Sequence, residues 1–184
     1  MSTKVITPPT LTSVVPTADL RTHLRLASDG SEDGLATAYL AAAHAVAEHY
    51  TGRPIGSQTL ELALDCFPDA EIDLGAAVTA ITSLSYVDTA GVTQTVDGTT
   101  YSLDTYGLIC RLVPDYGVIW PATQQIVSAV KVRFTAGDTP NAVKSALLLM
   151  AAWLNENRGS EMSSDDIQPA AAKALLNTVK VWGA

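Results

Sequence analysis

The unbroken apolar run Ala146–Leu154, ALLLMAAWL, has Lys144 ahead of it and Asn155 and Glu156 behind it. Wound as a helix it has no polar face, and a helix that is hydrophobic all round has to be covered all round. It falls well short of the roughly 20 apolar residues that a membrane span needs. Two arrangements satisfy it: the run is the central helix of a compact core, or a neighbouring subunit completes its cover.

The chain can build such a core. Its 184 residues, 47% hydrophobic and 16% charged, suffice for one compact domain or for one core with a substantial insertion, and they exclude disorder as the dominant state. The net charge of -8 and a pI near 4.6 oppose gripping a polyanion, because such binding runs on Lys and Arg replacing condensed counterions. Cys66 and Cys110 lie far apart and form no Cys-x-x-Cys or Cys/His ligand set, so both read as reduced, buried small hydrophobes. The opening segment, MSTKVITPPTLTSVVPT, carries one Lys and is broken by prolines, which does not fit a secretory leader. A soluble protein of a cytoplasm-like compartment is expected, with no membrane partner.

Three regimes follow one another. TADLRTHLRL (17–26) puts Leu20, Leu24 and Leu26 on one helical stripe with Thr17 as N-cap, and ASDGSEDG breaks it. The alanine-rich stretch 32–50 repeats Leu35, Tyr39, Ala42, Val46 and Tyr50 at helical spacing, and Gly52 and Pro54 supply its stop. Beyond Pro54 the chain turns to Thr, Val, Ile and Tyr with regular turn signals, and six short antiparallel strands are predicted. SQTLELALD alternates Leu60, Leu62 and Leu64 against Glu61 and Ala63. AITSLSYVDTAGVTQTV forms one hairpin around Ala90 and Gly91, TTYSLD with GLICRLVP a second, and SAVKVRFTAG alternates Val130, Val132 and Phe134 against Lys131 and Arg133. Helix then resumes with Asp138 or Thr139 as cap and Pro140 in the first turn, running to Arg158, and a last helix is expected in QPAAAKALLNTVKVW. The class is α+β: a helical bundle of about four helices, residues 1–55 and 138–184, with an antiparallel β insertion, residues 56–137, between the second and third helices.

No residue pattern calls for catalysis, a cofactor or a metal. DGSEDG (29–34) opens like a calcium loop, but its twelfth position, which should be a bidentate Glu, is Leu40; it reads as a solvated turn. His44 and His49 are five apart, not the four that would put two zinc ligands on one helix face, and read as surface or interface histidines, with His23 isolated. Asp65, Asp69, Glu71 and Asp73 read as acids at strand ends rather than a paired-carboxylate site. Nucleophile-elbow, Walker and dinucleotide motifs are absent. Tyr86, Tyr101, Tyr106, Tyr116 and Trp120 fall in the strand region, where seven Asp and Glu between Asp65 and Asp104 face only Arg111, Lys131 and Arg133, so core and turn roles are expected over base stacking.

The order of these segments resembles the head-tail connector, or adaptor, family of long-tailed bacteriophages, also found in gene transfer agent particles. The resemblance covers nearly the whole chain: TADLRTHLRL with its acidic turn, the helix end YTGR followed by QTLELALDCFP, the WP of YGVIWPATQQ before VKVRF, and ALLLMAAWLNENR. Two positions depart from the pattern, Asp138-Thr139 where a Tyr-Gly turn is usual after FTAG, and Leu60 where the strand often carries Trp. The resemblance implies a structural protein of the virion, made in the host bacterial cytoplasm. It would form a dodecameric ring beneath the portal at the capsid vertex, monomeric in solution, extend the DNA channel and dock the next head-completion, stopper or tail protein. It implies a portal-contacting tail, Lys180, Val181 and Trp182, and packing in the ring or core by Tyr39, Val46, Leu148 and Trp153. A net negative subunit fits a channel that passes DNA without specific binding, since repulsion acts over about 8 Å at physiological salt. A head-to-tail ring also requires two different faces on each subunit, and the second and third helices are expected to supply one and the β lobe part of the other.

Other classes make different demands. A carbohydrate- or ligand-binding module would gather Tyr101, Tyr106, Tyr116 and Trp120 on one exposed surface. An enzyme would need a pocket with converging acid and base groups. A transcription factor built on the first two helices is opposed by the charge.

Overall fold

The computed structural model describes residues 2–27, 29–158 and 168–181. Among them are five helices and two antiparallel sheets, an α+β protein. The chain divides into two compact units, a strand unit (Met1–Pro8 and Ser57–Gly137) and a helical unit (Pro9–Gly56 and Asp138–Ala184).

The helical unit contains α1 (Leu11–Val14), α2 (Thr17–Leu24), α3 (Asp33–Thr51), α4 (Asn141–Glu156) and α5 (Ala170–Asn177). Three of the helices begin after a proline. Pro16, Pro140 and Pro169 occupy the N-cap of α2, α4 and α5 with φ between -57° and -51° and extended ψ, and no side chain caps any of them. Each proline carbonyl accepts the first helical hydrogen bond, from Leu20, Lys144 and Lys173 respectively. The expected caps are therefore displaced: Thr17 is the first helical residue, and Asp138 and Thr139 precede the cap. α3 stops as its sequence predicts, with Gly52 left-handed (φ 65°) and its N–H bonded to the Glu48 carbonyl. α5 ends at Asn177, well before Trp182, where the sequence pattern carried it.

α4 resolves the puzzle of the apolar run. Val143, Ala146, Leu147, Met150, Ala151 and Leu154 form one fully covered stripe, packed against α2, α3 and α5. Leu148, Leu149, Ala152 and Trp153, on the remaining sides, are half-buried. Burying Leu147 and Met150 outright contributes about 1.5–3 kcal/mol each. The stripe of α3 that enters the same core is Ala36, Leu40, Ala43 and Ala47, one residue out of phase with the expected one. Small side chains let the backbones approach, so the alanines take the centre and the larger Tyr39, Val46 and Tyr50 pack at its edges. Leu35 and Ala42 are exposed.

In the strand unit, β1 (Ser2–Thr7), β2 (Gln58–Leu64), β4 (Val78–Val87), β5 (Thr93–Thr95) and β8 (Val130–Ala136) make one sheet in the order β1-β2-β8-β4-β5. The other sheet is β3 (Ile72–Gly75), β7 (Cys110–Pro114) and β6 (Tyr101–Asp104) in the order β3-β7-β6. Central β8 sets the register: Val132 lies opposite Leu62 and Leu84, Phe134 opposite Leu60 and Ile81. With Ile72, Cys110 and Leu112 of the second sheet these residues share one core. Arg133, pointing the other way, pairs with Glu61 directly across the strands at 2.7 Å. The described residues form eight strands where six are predicted from the sequence; β1 and β3 are the additions. β1 also brings residues 1–8 into the strand unit, although the sequence reading put them with the helices.

Gly56, at φ 77°, is where the backbone leaves the helical unit, and a Cβ there would lie 2.5 Å from Val14 Cγ2 and 3.0 Å from Pro9 Cβ. Gly56→Ala is expected to cost at least about 1–2 kcal/mol from the left-handed backbone alone, read as a lower urea midpoint with an unchanged m-value.

Candidate functional site

The polar side chains that could carry chemistry are engaged in structure. His44, expected at a surface, is buried at 6% exposure. Its Nε2 lies 2.8 Å from the Ile55 carbonyl, which requires that nitrogen to carry the proton and donate it. The Glu48 carboxylate one turn on accepts the Ile55 N–H at 2.7 Å. Both backbone groups of Ile55 are thereby satisfied by α3. The next peptide closes on the returning chain, the Gly56 N–H donating to the Asp138 carbonyl at 3.0 Å, and Arg53 pairs with the Asp138 carboxylate. His44 and Glu48 thus tie Ile55 to α3, while Arg53 and the Gly56 N–H tie the same segment to Asp138. Asp138 is the acid that Arg53 holds.

DGSEDG is a turn between α2 and α3. Asp29 Oδ1 accepts the N–H and hydroxyl of Ser31, and Asp33 accepts a two-pronged hydrogen bond from Arg21. These bonds hold both carboxyls below the usual carboxylate range, Asp29 through Ser31 and Asp33 through Arg21. Leu40, at the position a calcium loop would give to Glu, is a core residue.

Acids of the strand unit cap turns. Asp88 accepts the Gln94 side-chain amide and the N–H groups of Ala90 and Val92, each at 2.9 Å, and lies below its ordinary pKa for that reason. Asp97 is lowered in the same way by Thr99. Asp65 accepts the Ser128 N–H, and Asp104 that of Tyr106. Glu71 and Asp73 lie 2.9 and 3.7 Å from Arg111. The expected strand-end carboxylates are thus divided between turns and an ion pair.

The aromatics do not make one platform. Trp120 is buried, stacked on Phe67 at 5.0 Å with its Nε1 donating to the Ala70 carbonyl, and Tyr86 meets the Phe67 edge. Tyr101 is half-buried, and burial together with Asp97 pushes its phenol up. Tyr106 and Tyr116 are fully exposed. This separation removes the geometry that a carbohydrate-binding module would require. Cys110 is buried, whereas Cys66 is exposed, contrary to expectation.

Of the residues marked for packing, Tyr39, Val46 and Leu148 flank the helical core, and Arg158 lies 6.0 Å over the Tyr39 ring. Trp153 does something else. With Leu24, Leu149 and Ala152 it lines an open recess of about 490 Å³ between the end of α2, the outer side of α4 and Pro169, bordered by exposed His23, Arg25 and Glu156. Of the marked tail, Lys180 sits 4.2 Å over the Tyr50 ring, and Val181 is buried with its N–H on the Thr51 carbonyl. Trp182 lies outside the described residues. The largest exposed apolar side chains that sequence reading left unmarked are in the strand unit: Leu108, Ile119 and Val127. They follow Gly107 or flank Pro121 and Ser128, loop signals within apolar segments.

The full chain is similar to solved chains from gene transfer agent (GTA) particles. One belongs to the neck of an empty GTA particle computed with C6 symmetry, with a TM-score of 0.81 and 28% identity. A second belongs to the virion of a native GTA particle, at 0.78 and 27%, and a third to the neck of a native GTA particle computed with C12 symmetry, at 0.77 and 26%. Each match covers 100% of this chain and 99% of the other. No family model and no curated protein matches the chain.

Two measurements check the polar network. Glu48→Ala strands the Ile55 N–H and is expected to cost about 1–3 kcal/mol in urea unfolding. Because the folded Asp33 pKa is depressed, its stabilisation is complete above the unfolded carboxylate value of about 3.9 and is lost as pH falls through the folded value. The stability gap between wild type and Asp33→Asn is therefore expected to be constant from pH 7 to 5 and to close below pH 4.

Proposed function

We propose that this chain, a member of the head-tail connector family of phage-like particles, is the adaptor of such a particle. It is a structural subunit of a dodecameric ring below the portal at the capsid vertex. The observation that carries the reading is end-to-end similarity to chains of particle necks, without an unmatched segment that would speak for a different role. C6 and C12 symmetry in those necks supports a ring.

In this role the helical unit is the connector core and the strand unit a lobe whose larger segment, Ser57–Gly137, is inserted between α3 and α4, extending the DNA channel and offering a docking surface to the next head-completion, stopper or tail protein. The subunit is made in the host cytoplasm and works without catalysis, cofactor or metal. Its net charge of -8 supports a channel past which DNA moves without being held. The C-terminal tail is the portal-facing element. Lys180, at its half-buried start, and Trp182 are the side chains assigned to the portal, and Val181 anchors the tail on α3. Tyr39, Val46 and Leu148 brace the core behind these faces, and Trp153 belongs to a face that meets the ring.

Mixing the purified chain with the portal of its own particle is expected to give a twelve-fold ring on the portal by electron microscopy. A chain that stays monomeric beside the portal, or joins the particle away from the vertex, contradicts the assignment.

A further inference from the structure

The recess on the helical unit and a rigid turn on the strand unit are, we propose, two halves of one contact between copies of this chain, with the turn of one copy seated in the recess of the next. The inference rests on the ring reading above and adds which surfaces meet.

The turn is Asp115–Val118, with the Val118 N–H bonded to the Asp115 carbonyl at 2.9 Å and Gly117 at φ 81°. Its base is fixed twice, by the Asp115 N–H on the Thr100 carbonyl and by the Ser102 hydroxyl on Asp115 Oδ1 at 2.6 Å. Its exit is fixed by buried Trp120. Between these anchors Tyr116 is fully exposed and Ile119 is 90% exposed. Two large apolar side chains held in water on a stiff support have little ordering entropy left to lose on binding, which is how an interface anchor differs from a loop that merely happens to be greasy. Covering Tyr116 alone would bury on the order of 150–250 Å².

The recess supplies the complement. Leu24, Leu149 and Trp153 offer half-buried apolar surface on the side of α4 that the core leaves uncovered. On a rim that also carries His23 and Glu156, Arg25, exposed at the left-handed end of α2 (φ 55°), is paired with no carboxylate among the described residues. Opposite charge is available on the strand unit, where Asp and Glu outnumber Lys and Arg by nine to four and Asp115 adjoins Tyr116. A second copy is the occupant chosen because a head-to-tail ring needs two unlike, complementary patches on every chain. A projecting turn and a recess are such a pair.

The test uses full-length protein assembled on its portal. On a Cys66→Ser background, His23→Cys on the recess rim with Val118→Cys on the turn, which leave Arg25, Tyr116 and Ile119 in place, is expected to give, with a short bismaleimide, a ladder of covalent multimers reaching the ring's size, while either substitution alone gives none. In otherwise wild-type protein, Tyr116→Ser with Ile119→Ser is expected to lower ring occupancy at least tenfold with unchanged thermal unfolding, since both side chains are exposed. Normal rings without a ladder, undiminished occupancy of the serine variant, or linkage of residue 118 to the portal or another neck component overturns the contact and leaves the ring reading standing. Failure of the wild-type chain to form any ring overturns both.

Discussion

An apolar helix with no polar face must find cover on every side, and α4 imposes that condition on the rest of the helical unit. α2, α3 and α5 close over the stripe from Val143 to Leu154. Close approach is possible because α3 presents Ala36, Ala43 and Ala47 where larger residues would hold the helices apart. α5 adds little more than Ala172 and Leu176 to that core. Three short or alanine-rich neighbours cannot wrap a whole helix, so Leu149 and Trp153 remain at the floor of a recess. Core and candidate assembly surface are thus two sides of one helix.

The passage of the chain between the units is a second constraint. His44 and Glu48 fix Ile55 on α3, and Arg53 and the Gly56 N–H join that segment to Asp138, so the outgoing and returning chain stay adjacent however much sheet lies between them. A long excursion in sequence therefore costs the helical unit little closure entropy. Each unit keeps its own core, and the acids of the strand unit are divided between local turns, at Asp88, Asp97 and Asp104, and ion pairs, at Glu61, Glu71 and Asp73.

Much of this was legible in the chain. Period-two alternation locates β2 and β8 because one face of each is buried, the condition under which alternation carries information, whereas turn signals locate the hairpins, whose β5 is exposed throughout. β1 escaped for the opposite reason: Thr3–Thr7 are exposed on both faces, so no pattern marks them. β3 is four residues long, and the alternation of Ile72 and Leu74 was hidden among acids. The stripe on α3 was misplaced by one residue because hydrophobic size, not smallness, was followed. Proline caps were missed since their function lies in a carbonyl rather than a side chain. His44 reads as a surface or interface residue because its partner, the Ile55 carbonyl, has no signature in sequence. Tyr39, Val46, Leu148 and Trp153 share an apolar character in the sequence, and only packing separates Trp153, on the recess, from the other three beside the core.

Hydrogen exchange measured on the free protein and on the protein assembled with its portal tests directly whether α4 is covered on one side by its own chain and on the other by a neighbour. The account predicts that amides in the buried centre of α4 and at Ile55 and Gly56 are already protected in the free chain and do not change, while protection rises in residues 22–26 and 115–119. Exchange in the centre of α4 that is fast in the free chain, or assembly that leaves both of those segments unprotected, would contradict it.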